Sequence, residues 1–121
     1  MRFTVRRRTL SAIPQTVDLR LYAGDAFGMT LTVTEPDGSP ASFDGDHVWA
    51  QVRARPDSDE VLGEFDIARD QNVLLLRLSG GITAALPHRC TYDCEWRERA
   101  LTLIAGSITV MPQVTRNDTD S

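Results

Sequence analysis

The chain of 121 residues contains no lysine: all 13 of its basic residues are arginine. We read this as the codon usage of a GC-rich genome, with no mechanistic content of its own. Cysteine is scarce, with only Cys90 and Cys94. On a strand these two share a face about 13 Å apart, at ~3.3 Å per residue, whereas a disulfide needs Cα atoms within about 7 Å. They are therefore expected to be reduced, buried and hydrophobe-like. A metal site would want further Cys or His at ligand spacing, and only His88 is near. The other histidine, His47, stands apart with no ligand spacing to it. Long apolar runs are also missing. The longest, such as Val73 to Leu76, fall far short of the ~20 residues that span a bilayer, so no membrane partner is expected. The basic start, Met1 to Arg8, leads into no apolar stretch and does not read as a secretory signal. Production in a cytoplasm is the expectation.

Catalytic signatures are absent as well. There is no G-x-S-x-G, and Cys90 lies too close to His88 to read as a nucleophile with its base. Gly80-Gly81 is followed by no Gly-Lys-Ser/Thr. The acidic loops Asp44-Gly45-Asp46 and Asp57-Ser58-Asp59 lack the ligand ladder and closing Glu of an EF-hand. The expectation is a protein that is not an enzyme and holds no cofactor or metal. A net charge of −4 argues against nucleic acid as a partner.

What is present is alternation with period two. Thr16 to Tyr22 places Val17, Leu19 and Leu21 against Asp18, Arg20 and Tyr22. Phe27 to Thr34 is the cleanest strand, with Phe27, Met29, Leu31 and Val33 opposite a row of threonines. Glu35-Pro36-Asp37-Gly38 is a turn in which Pro presets φ and Gly accepts positive φ. After a polar loop plugged by Phe43, further strands are read at 47–54, 61–67, 73–78, 90–97 and 101–110. Strand 73–78 is apolar on both faces apart from Arg77, which suggests cover on two sides by the core and a loop or a neighbour. One helical turn fits 82–86. In the last strand Gly106 marks a bulge or a close approach.

About seven strands with closely spaced turns and no long amphipathic helix predict an all-β, antiparallel sandwich without a disulfide. Residues 1–15, with Arg6-Arg7-Arg8 and Pro14, read as an extended N-terminal arm. The sandwich then occupies 16–114, and 115–121 forms a polar tail. Trp49 admits two readings. It fills the core, or it lies on the exposed face beside Gln51 and Arg53 and marks an interface, where aromatics and arginines are enriched. The candidate interface residues are thus Arg6, Arg7, Arg8, Trp49 and Arg53.

Two resemblances follow from particular residues. Leu86-Pro87 with Tyr92-Asp93-Cys94 resembles the tyrosine corner of immunoglobulin-like domains, which makes Pro87 and Tyr92 candidate structural-corner residues. The second cysteine of such domains is missing, since Met29 and Leu31 occupy the second strand. More widely, Gly24-Asp25-Ala26-Phe27, the D-G-x-P turn at Asp37 to Pro40, Ala50-Gln51-Val52-Arg53 and the G-x-I-T-V ending at Gly106 to Arg116 resemble small immunoglobulin-like β-sandwich virion proteins of tailed phages. That family comprises long-tail-fibre connector and tail-collar domains. The arginine-only basic set is similar to what phages of actinobacteria show. The resemblance implies a virion component assembled in the host cytoplasm, present in symmetric copies and binding other phage proteins of the tail, collar or baseplate. Alternatives are a capsid decoration, cement or minor capsid protein, and a carbohydrate-binding module with Trp49 and Trp96 as stacking platforms.

Overall fold

In the computed structural model, which describes residues 2–11 and 13–112, the alternating segments become two stacked sheets. The elements are β1 (Arg2–Thr9), β2 (Gln15–Thr16), β3 (Leu19–Tyr22), β4 (Phe27–Thr34), β5 (Val48–Arg53), β6 (Val61–Glu64), β7 (Asp66–Asp70), β8 (Val73–Leu78), α1 (Gly80–Ala85), β9 (Arg89–Trp96) and β10 (Leu101–Met111). One sheet has four strands in the order β1–β4–β8–β7. The other has six, in the order β2–β10–β9–β5–β6, with β3 also paired to β10. The expected all-β sandwich without a disulfide is therefore what forms, and both cysteines are free and buried. Among the described residues no helix is long and apolar enough to cross a membrane.

Every predicted strand is present, and the count reaches ten for local reasons. Segment 16–22 is interrupted at Val17-Asp18. Segment 61–67 changes sheets at the buried Phe65, so that β6 edges one sheet and β7 the other. The tenth strand is β1, and it corrects the reading of residues 1–15 as an arm. Arg2–Thr9 lies parallel to β4 in unbroken register, from Arg2 opposite Phe27 to Thr9 opposite Thr34. Leu10 after it is buried. The arginines hid this strand because they blur the apolar alternation on which strand recognition depends.

The sheets are mixed rather than purely antiparallel. After β1 the chain crosses to the other sheet, runs along β10 as β2 and β3, and returns through Ala23-Gly24 into β4. A parallel pair needs such a crossover, and here it gives parallel pairing of β1 with β4 and of β10 with β2 and β3. The tail 115–121 lies outside the described residues.

The core lies where the predicted inward faces meet. Met29, Leu31 and Val33 of β4 and Leu74, Leu76 and Leu78 of β8 pack with Ala50, Val52, Cys94, Trp96 and Ile108 from the facing sheet. Each large aliphatic side chain so buried contributes about 2 kcal/mol. In β10 a bulge between Thr102 and Ile104 breaks the alternation and turns both Leu103 and Ile104 inward. The second apolar face of β8 is only half covered: Leu75 lies on the outer side of its sheet, between Thr30 and Ala68.

Candidate functional site

The strict alternation of β9 decides what the six-stranded sheet shows to solvent. Cys90, Tyr92, Cys94 and Trp96 point inward, so Thr91, Asp93 and Glu95 point out. On β5, Val52 and Ala50 are buried, which leaves Trp49, Gln51 and Arg53 on the outer side. The ladder sets Trp49 opposite Glu95, Gln51 opposite Asp93 and Arg53 opposite Thr91. Together with Thr16, Pro56 and Ala105 these side chains line a groove of about 660 Å³. Trp49 is 45% exposed, which settles its two readings in favour of the outer face. Trp96 is the tryptophan of the core, its ring 4.3 Å from Phe43 and its Nε1 donating to Asp46 at 2.8 Å.

Polar contacts hold much of the groove floor in place. Arg53 donates to the Ser58 carbonyl and to Gln51 Oε1, both at 2.8 Å, and Gln51 donates to Glu64 at 3.2 Å. The Arg97 guanidinium lies over the Trp49 ring at 5.3 Å, a cation–π contact. Asp93 and Glu95, by contrast, enter none of the ion pairs among the described residues. The groove thus offers an aromatic side chain beside two carboxylates that stand outside the ion pairs of the described residues.

Tyr92 secures the groove from below. Its Oη donates to the Val17 carbonyl at 2.6 Å, across the point where the strand breaks between β2 and β3. Gly106 makes this possible, because a Cβ there would stand 2.1 Å from the same carbonyl oxygen. Asp18 Oδ1 then accepts from the Ser107 amide at 3.0 Å and takes the place of a ladder bond. The tyrosine-corner expectation is corrected accordingly: the phenol reaches a partner 75 residues away rather than its own corner, and Pro87 lies exposed between α1 and β9. Burial foremost, and then Asp18 and Cys94, hold the Tyr92 phenol well above the usual tyrosine range, with Arg6 opposing them. Burial first, then Asp93 and Glu95, pushes the Cys94 thiol up to about 12.

The arginine trio is divided by the structure. Arg6 and Arg7 are exposed on β1, on the sheet remote from Trp49 and Arg53. Arg8 is 3% exposed and is an internal residue, not an interface one. Its Nε donates to the Leu103 carbonyl at 2.5 Å, and its two Nη atoms reach the carbonyls of Thr9, Ser11 and Ile13. Leu103 is the residue the β10 bulge leaves out of the ladder, so Arg8 satisfies a carbonyl that the sheet cannot. At the hairpin between β9 and β10 Glu98 accepts from the His47 backbone at 2.7 Å and bonds its ring nitrogen at 2.6 Å. Those bonds bring the Glu98 carboxyl down to about 2. His88 is bonded through Nδ1 to the Val110 carbonyl.

Of the groove's lining, Trp49 and Arg53 were among the candidates read from the sequence, and Asp93 and Glu95 were not. Their signal was the outward half of the β9 alternation, which by itself does not separate a groove wall from a solvated face.

The fold is similar to that of a phage domain. The N-terminal domain of phage TP901-1 ORF48 superposes with a TM-score of 0.56 at 18% sequence identity, covering 88% of this chain and 98% of that one. At that identity the likeness shows the fold. The cysteine protease inhibitor EhICP2 from Entamoeba histolytica matches with a TM-score of 0.40 at 13% identity, over 92% of this chain and 97% of that one, too distant to carry an argument. No protein family matches the chain, and no curated protein does.

Proposed function

We propose that this chain is a non-enzymatic structural protein of a bacteriophage virion, at the tail, collar or baseplate, which binds other virion subunits. The observation that supports this most is the near end-to-end likeness to the TP901-1 ORF48 domain, which spans 98% of that chain. The outer groove adds a surface suited to protein contact. It has an exposed tryptophan at its rim, arginines pinned in place, and two carboxylates open to a cationic partner. A capsid decoration or cement role uses the same features at a different site on the particle.

Mass spectrometry of purified particles tests the proposal. The chain is expected in a fixed copy number relative to the major tail and capsid proteins. Its absence from intact particles would refute the reading. Tail-only and capsid-only fractions separate the two locations. The carbohydrate reading loses one of its two platforms, since Trp96 is internal. A glycan that shifts Trp49 fluorescence would revive it.

A further inference from the structure

We propose that copies of this chain associate head to tail by extending the four-stranded sheet, the β7 edge of one copy receiving the β1 edge of the next. β1 and β7 are the two opposite edges of that sheet. Among the described residues neither has a backbone partner on its outer side. An unpaired edge is a template for another strand unless proline, a bulge or extreme shortness blunts it. Neither strand is blunted in that way. β1 pairs with β4 over eight unbroken positions, and β7 with β8 over five.

Charge selects which edges can meet. β1 carries four arginines and no acid, with Arg8 turned inside, while β7 carries two aspartates and a single arginine. That arginine, Arg69, is tied to the carbonyls of Phe43 and Asp46. Two β1 edges brought together oppose arginine to arginine, and two β7 edges oppose aspartate to aspartate. Like charges directly opposite on a sheet destabilise pairing, whereas opposite charges favour it. Only the unlike edges are complementary. The same charges that protect each edge from its own kind therefore leave one contact open.

Register strengthens the case. Arg7 lies opposite Thr32, Thr32 opposite Val73, and Val73 opposite Asp70. These four residues form one row across the outer face, with the arginine at one end and the aspartate at the other. Neither end enters an ion pair among the described residues. β1 runs parallel to β4, β4 antiparallel to β8, and β8 antiparallel to β7, so the two edge strands run in the same direction. A neighbour related by simple repetition then adds β1 parallel to β7 and sets its Arg7 level with Asp70. Such a contact is heterologous, and it closes into a ring or continues as an open chain. The proposal takes its setting from the multi-copy role above, but it makes no use of the outer groove.

Sedimentation of the full chain tests the contact. At low ionic strength, where screening is weakest, the wild type is expected to associate as its concentration rises, and added salt is expected to reverse this. Arg7→Asp and Asp70→Arg should each weaken association by roughly three- to tenfold. The double variant R7D/D70R should restore it. Both residues are exposed, so the melting temperatures of all three variants should match the wild type. Arg7→Ser and Asp70→Ser, which weaken without reversing charge, provide a second pair should a reversal disturb folding. A wild type that stays monomeric up to about millimolar concentration, or an association that the double variant does not restore, overturns the proposal. A monomeric chain that is nonetheless found in purified particles would remove this contact and leave the virion role standing.

Discussion

Replacing Arg8 by methionine gives the sharpest test of how the N-terminal segment is built in. The guanidinium of Arg8 lies between the sheets, and four backbone carbonyls depend on it. Those of Ser11 and Ile13 sit on an exposed link and become hydrated when the arginine goes. That of Leu103, at the bulge of β10, stays inside. Leaving a buried acceptor without its donor costs about 1–3 kcal/mol. Methionine returns part of the penalty for desolvating a charge that has no carboxylate partner, while its stem keeps much of the packing. The net loss is about 2 kcal/mol, or about 8 °C in melting temperature for a domain of this size. Arg8→Lys should recover little, because one ammonium cannot replace the planar fork. Arg7→Met, one residue away and exposed, should fall within about 0.5 kcal/mol of the wild type. Urea unfolding followed by far-ultraviolet circular dichroism reads all three. If Arg8→Met matches Arg7→Met, the first ten residues are not integral to the sandwich, and the arm reading returns.

Three further outcomes are expected. Tyr92→Phe should destabilise the domain by about 1 kcal/mol through loss of the bond to Val17. Gly106→Ala should cost more, about 3 kcal/mol, since its methyl group must displace the Val17 carbonyl; paired thermal melts check the order. Stability should fall as pH rises from about 9 towards 12, at up to about 1.4 kcal/mol per unit for each group concerned. The unfolded chain there releases protons that the native state retains on Cys94 and Tyr92, and Cys94→Ala should flatten the first part of the decline. Thiol counting should accordingly find two reactive groups in denatured, unreduced protein and almost none in the native state. At the acid end, the stability contributed by Glu98 is present above its ordinary pKa and lost as pH falls through the folded value of about 2. Glu98→Gln should remove that part of the acid transition seen by circular dichroism.

Where one side of a segment was apolar and the other polar, the sequence was legible. β4 and β9 were read with the correct inward residues, Met29 and Leu31 in one and Tyr92, Cys94 and Trp96 in the other. Strand β1 was not legible, because its inward Arg8 is buried through hydrogen bonds rather than through apolar character, and hydropathy does not register that. The bulge at Leu103 was invisible for a related reason, since a residue that leaves the ladder has no mark of its own. Trp49 was readable only to two alternatives, and the burial of Ala50 and Val52 on the other side of β5 put it on the outer face.

By itself, then, the sequence determined an all-β sandwich, its reduced cysteines and most of its core, because these depend on spacing along a strand. What lies next to what was set by the pairing of strands distant in the chain. It made Arg8 internal and Trp49 external, led the Tyr92 phenol across to Val17, and set Arg7 and Asp70 at opposite ends of one row. Each of these depends on pairing between residues far apart in the chain, and local alternation carries no record of which strands become neighbours.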